Sequence, residues 1–89
     1  MAKSISLAID PAEVVNRIAM EANLELPSKI VMMHYDEEVD TLYVHFEYPA
    51  EAIDSEVIDK HGEIILGLDQ NGRIVNMTII NASTYRKTP

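Results

Sequence analysis

Two histidines and two aspartates stand close together near the middle of this chain, and they are its best candidates for acid–base or metal chemistry. In order they are His34, Asp36, Asp40 and His45. Imidazole and carboxylate are suitable ligands for zinc or manganese. A hairpin pairing residues 34–36 with residues 41–45 would carry both rings on one sheet face. The spacing matches no compact metal motif such as His-x-x-x-His, and acids in turns ordinarily cap backbone amides. The residues thus define no catalytic set and call for no cofactor. A metal-assisted hydrolase or a metal- or ligand-binding protein built on this chain would have to use His34, His45, Asp36 and Asp40.

Other chemistry is less well supplied. Asp36-Glu37-Glu38 lacks the alternating acids, glycine and distal glutamate of a calcium loop, and Asp69-Gln70-Asn71-Gly72 is too short for one. No glycine-rich phosphate loop or nucleophile elbow occurs. Ser55 and Ser83 have no histidine and acid in a recognisable order, and His61 sits beside Gly62 in an expected turn. With no cysteine there is no thiol nucleophile, no thiolate-bound metal and no disulfide framework.

The chain that must position these residues is short. Its 89 residues, 47% apolar and 25% charged, make one domain, because two cores of half this length could not bury themselves. No run approaches the roughly 18 apolar residues of a membrane span. The opening Met-Ala-Lys-Ser-Ile-Ser-Leu-Ala-Ile-Asp does not read as a secretory signal, and a cytoplasmic protein is expected.

The net charge of −8 is unevenly spread: −1 over residues 1–35, −9 over 36–63 and +2 over 64–89. An acidic middle third repels phosphate backbones, so nucleic-acid binding is not expected. The same acids keep a small domain soluble and would speed encounter with a basic protein. In that role Glu37, Glu38, Glu51 and Glu56 would supply the field, and Tyr43 and Tyr48 aromatic contacts.

The spacing predicts a helix over 11–23. Asp10-Pro11-Ala12-Glu13 supplies a cap, a proline at the first helical position and an acid three residues after the cap. Ile9 and Val14 would form a hydrophobic staple. Val14, Val15, Ile18, Ala19 and Ala22 recur on one face, and Asn23 and Pro27 end the helix. Before it, Ile5, Leu7 and Ile9 alternate as a short strand would. Strands are expected at Ile30–Tyr35, Thr41–Tyr48, Ala52–Ile58, Ile64–Leu68 and Ile74–Ile80. Within the second, Leu42, Val44, Phe46 and Tyr48 share one face and Tyr43, His45 and Glu47 the other. The third alternates weakly and carries two acids, as an edge strand would. The last two flank Asp69-Gln70-Asn71-Gly72, where glycine permits the positive φ of a hairpin turn. Pairing Tyr35 with Leu42 puts Val31, Met33 and Tyr35 in the core and His34, Tyr43 and His45 together on the opposite face. A slip of one residue would send His34 into the core. The fold expected is α+β, a small antiparallel sheet (a meander of four to five strands) packed with one N-terminal α-helix.

Tyr35-Asp36-Glu37-Glu38-Val39-Asp40-Thr41-Leu42-Tyr43-Val44 resembles the Tyr-Asp-x-x-x-Asp-x-Leu-Tyr-Ile opening of the domain of unknown function family numbered 2283. Ile64 to Ser83, with Gly72-Arg73-Ile74-Val75 and the closing Ile79-Ile80-Asn81-Ala82-Ser83, is similar to that family's second half. The resemblance covers residues 30–83, with 1–29 a strand and helix extension and 84–89 a polar tail. It implies a small β-rich domain with no established activity. Some family members are encoded beside small toxin-like proteins, so it also implies an antitoxin-like role as one reading. The chain departs from the family pattern at Gly67, where an acid is usual, at Asn76, where glycine is usual, and at Thr78, where glutamate is usual. These departures weaken an acid-based site in the second hairpin.

A second likeness joins Ser4–Asp10, the helix and Pro27-Ser28-Lys29-Ile30 to the opening of ribbon-helix-helix DNA-binding proteins. Such a strand would present Ser4, Ser6 and Ala8 to the major groove, with only Lys3 near phosphate. The second helix would run into the Asp36 turn.

One helix and a thin sheet cannot cover all the apolar residues, and a chain this size buries only about 60–65% of its surface. Self-association, most simply as a homodimer, would cover the remainder. The function expected is a non-enzymatic homo-oligomeric interaction module for a basic protein. The alternative is the metal- or ligand-binding protein or hydrolase built on His34 and His45.

Overall fold

The computed structural model of the chain describes residues 10–48 and 51–85. Helix α1 spans Pro11–Glu21. The Asp10 carboxylate accepts a hydrogen bond from the Ala12 amide at 3.2 Å, which satisfies one of the free donors of the first turn. Val14, Val15 and Ile18 are the buried stripe, as their spacing predicts. The helix stops two residues earlier than expected, because Asn23 adopts φ 55°. The closing turn is held by the amides of Ala22 and Leu24, which donate to Ile18 and Ala19 carbonyls at 2.9 Å each. Ile9 and the short strand expected at Ile5–Ile9 lie outside the described residues.

Five antiparallel strands follow: β1 (Met32–Asp36), β2 (Thr41–His45), β3 (Asp54–Val57), β4 (Ile64–Leu68) and β5 (Ile74–Ile80). Their spatial order is β1-β2-β5-β4-β3. The expected meander holds for β3, β4 and β5. The β1–β2 hairpin instead docks on β5, and the β2–β3 connection crosses to the far edge of the sheet. The resulting arrangement is α+β, and a 3₁₀ turn at Ala82–Tyr85 closes the described chain.

Register follows the apolar alternation. Tyr35 pairs with Leu42 and Met33 with Val44. Leu42 then pairs with Ile79, and Val44 with Met77. Across the next ladder Ile79 meets Ile64 and Met77 meets Leu66. Directly opposed residues share a face, so these rows form one apolar floor. Val14, Val15, Ile18, Phe46 and Ala82 join it in the core. Burying a Val, Ile or Leu side chain stabilises by about 1.5–3 kcal/mol each. This floor outweighs any local preference of the strands.

Three details depart from expectation. Val31 is 45% exposed, because β1 begins only at Met32 on the rim of the sheet. Tyr48 is 87% exposed rather than sharing the core face with Phe46. The pairing of β2 with β1 ends at His45, while the Phe46 amide carries the β2–β5 register one step further by donating to the Val75 carbonyl at 2.9 Å. Val75 lies at a break in the β4–β5 register, between the Gly67–Asn76 and Leu68–Ile74 pairs. No helix among the described residues is long and apolar enough to cross a membrane.

Candidate functional site

The Asp40 carboxylate is the centre of a polar clasp rather than an open site. The chain turns at Asp40 with φ 50°, a conformation that Asp and Asn tolerate better than most residues. One carboxylate oxygen accepts from the Tyr35 hydroxyl at 2.6 Å and from the Ser83 amide at 3.0 Å. The other accepts from the Ser83 hydroxyl at 2.7 Å. The Asp40 carbonyl also accepts from the Ala82 amide at 3.0 Å. This clasp ties the β1–β2 turn to the 3₁₀ turn after β5. Tyr35, Asp40 and Ser83, drawn from both ends of the family-like pattern, therefore act together in holding the fold closed.

Asp36 is also structural, its carboxylate accepting from the Glu38 amide at 3.0 Å within the turn. His34 and His45 do share the helix-free face. His34 pairs with Tyr43, and the two rings stack at 6.1 Å and 17°. His45 lies diagonally across, opposite Met32. Among the described residues no three His, Asp or Glu side chains gather as a metal-ligand set. Gly67, Asn76 and Thr78 fall on this same face. Tyr43 pairs with Thr78, and His45 with Asn76, which in turn opposes Gly67. Gly67 and Thr78 thus put no carboxylate beside the histidines.

Two further aspartates cap turns. Asp59 accepts from the Glu63 and Ile64 amides at 2.8 and 2.9 Å. Burial pushes its pKa up, but the amides of Ile64, Glu63, Asp59 and His61 outweigh burial and hold it below the ordinary carboxylate value. Tyr85 is half-buried nearby, and burial followed by the charges of Asp59, Glu63 and Glu21 raises its phenol pKa. Asp69 is lowered chiefly by the Arg73 amide, against a smaller opposing effect of burial, with help from the Asn71 amide and the Arg73 guanidinium. Arg73 also meets Glu47 at 2.9 Å, joining the β4–β5 turn to the end of β2. The gathering of these three with Glu25, Leu26, Pro27, Gly72 and Ile74 was not anticipated from sequence. All of them but Asp69 line a shallow recess of about 550 Å³.

Residues expected to meet a partner are spread out. Glu37 and Glu38 are exposed in the β1–β2 turn, at the end of the sheet where β5 finishes. Glu51 is exposed just before β3, at the opposite end, and Glu56 is exposed on β3 itself. Tyr43 is half-buried against His34 on the open face. The acids therefore flank the sheet at two corners instead of forming one cluster.

The chain belongs to the family described as Protein of unknown function (DUF2283), whose model it matches over residues 32–83. The match runs from the first residue of β1 to Ser83 of the clasp, so α1 lies outside it. No curated protein and no solved structure matches the chain.

Proposed function

We propose that this chain is a non-enzymatic, homo-oligomeric interaction module of the cytoplasm that binds a basic protein, with an antitoxin-like role as its biological setting. The observation that carries the reading is the exposure of the arm leading into β3. All four residues of β3 face solvent, Asp54 and Glu56 among them, and Glu51 is exposed just before it. Next to these acids in the chain Ile53 is 73% exposed, and Tyr48, earlier in the same connection, is 87% exposed. Exposed apolar side chains among acids suit a partner that presents basic and apolar groups together. The aspartates, by contrast, are largely spent on turns and on the clasp, which leaves glutamates to meet a partner.

The test is to isolate the untagged protein from its own cells and record a native mass spectrum, then measure binding of any basic chain that co-purifies. A variant with Glu38, Glu51 and Glu56 all changed to Gln is expected to bind that chain at least about tenfold more weakly, mainly through slower association. Equal affinity in the variant, or the absence of any basic chain, overturns the reading.

A further inference from the structure

The sheet has two outer strands, and they are built differently. β3 is four residues long and carries Asp54 and Glu56, so a second β3 laid against it would set acid near acid. Short, charged edges of this kind resist pairing. β1 is less protected, its one acid being the terminal Asp36. Ile30-Val31-Met32-Met33-His34-Tyr35 contains no acid, no proline and no lysine, and strand-forming runs of this type pair readily when left uncovered. Val31 is 45% exposed, Met32 51%, and His34 is exposed. Among the described residues no strand lies on the outer side of β1.

The charges around β1 indicate what covers it. Lys29 stands just before the strand; it is exposed and has no acidic partner among the described residues. Asp36, Glu37 and Glu38 stand at its other end. A strand that is basic at its start and acidic at its finish is complementary to its own reverse. A parallel neighbour of the same sequence would align like charges, and a basic partner would meet Lys29.

We infer that β1 is the self-association edge, pairing antiparallel with β1 of a second copy of this chain to make one continuous ten-stranded sheet. This rests on the reading of the chain as a homo-oligomeric module and names its interface. A two-fold axis normal to the sheet keeps both helices on the same side and requires opposed residues to share a face. Centred on Met33, the pairing sets Val31 opposite Tyr35 on the core side and Met32 opposite His34 on the open side. It brings Lys29 of each chain alongside Glu37 of the other. That match of charge at both ends selects this register over one shifted by two residues, where Lys29 would meet Val39.

Sedimentation equilibrium of the full chain tests the inference, with circular dichroism melts confirming that each variant is folded. The expected result is a dimer. Lys29→Glu and Glu37→Lys each raise the dimer Kd about fivefold or more, because each converts two symmetric attractions into repulsions. The double variant K29E/E37K recovers most of the affinity. Met32→Lys gives a monomer, whereas Val57→Lys on the β3 edge leaves the dimer intact. A dimer that ignores the β1 variants and yields to Val57→Lys overturns the assignment of β1 while self-association stands. A monomer at every concentration overturns self-association as well, and binding of a basic chain remains separately measurable.

Discussion

Asn76 on β5 lies directly over Gly67 on β4, and the two fit together only because one of them has no side chain. A Cβ at Gly67 would fall 2.1 Å from the Asn76 Oδ1 and 2.9 Å from the Ala52 Cβ. Gly67→Ala is expected to cost about 1–3 kcal/mol through this overlap. Asn76→Gly alone costs about 1 kcal/mol from the loss of side chain and the added freedom of a strand glycine. The double variant G67A/N76G should recover part of the first loss. A coupling of about 1 kcal/mol or more in urea-melt double-mutant cycles checks this, and strict additivity contradicts it.

The local pattern made much of this fold legible, and topology made the remainder hard to read. Leu42, Val44 and Phe46 alternate so regularly that only one pairing with β1 keeps them buried, and Tyr35–Leu42 follows. Asp10-Pro11 announces α1 for an equally local reason. Nothing local says that β2 will pair with β5 rather than β3, since that choice joins apolar faces far apart in sequence. Tyr48 continues the alternation of β2 in sequence yet is exposed, because β2 ends at His45 and the chain bends over residues 46–48. The clasp was half visible: Asp40 and Ser83 both stand in the family-like pattern, but their contact spans 43 residues. The pattern reports which residues recur together without reporting that they touch.

Removing the Asp40 carboxylate should weaken the whole fold, since it accepts from three donors at once. Asp40→Asn tolerates the same positive φ but exchanges charge-assisted bonds for neutral ones, one of its two positions becoming a donor. Asp40→Gly tolerates the backbone angle and loses every side-chain bond. Losses of about 1–2 kcal/mol for Asn and about 2–4 for Gly are expected from the strength of hydrogen bonds to a charged group. Ser83→Ala should cost about 1 kcal/mol, and in Asp40→Gly the same change should cost almost nothing further. Chemical denaturation of the parent and the four variants measures this. An Asp40→Gly variant as stable as the parent would remove the clasp from the account.

His34 and His45 give a direct measure of whether the open face takes a metal. A ligand that binds only the folded state raises Tm in proportion to the logarithm of its concentration. With His34 stacked on Tyr43 and no set of three His, Asp or Glu side chains gathered among the described residues, zinc or manganese at up to tenfold excess is expected to leave Tm unchanged. Parent and the double variant H34A/H45A should respond alike. A metal-dependent rise in the parent that disappears in the variant would restore the metal-binding alternative.

Stability should fall on the acid side, and Asp59 and Asp69 set the direction. Both carboxyl pKa values are lowered in the fold, chiefly because backbone amides donate to the charged form. A group with a depressed folded pKa adds stability that is present above its unfolded value, about 3.9, and is lost as pH falls through the folded value. The parent should therefore hold its Tm from neutral pH down to about pH 5 and lose it steeply below pH 4. Asp59→Asn leaves an oxygen to accept from the Glu63 and Ile64 amides but removes the charge that those amides stabilise. Its Tm should lie below the parent's at pH 7, and the gap should narrow as the parent's own carboxylate becomes protonated. Asp69→Asn should behave in the same way, with the loss of attraction to Arg73 making its neutral-pH deficit sensitive to salt. Melts at pH 7, 5, 4 and 3 in low and high salt resolve both effects. A gap that stays constant down to pH 3 would mean that the amides around Asp59 and Asp69 do not distinguish the charged from the neutral carboxyl.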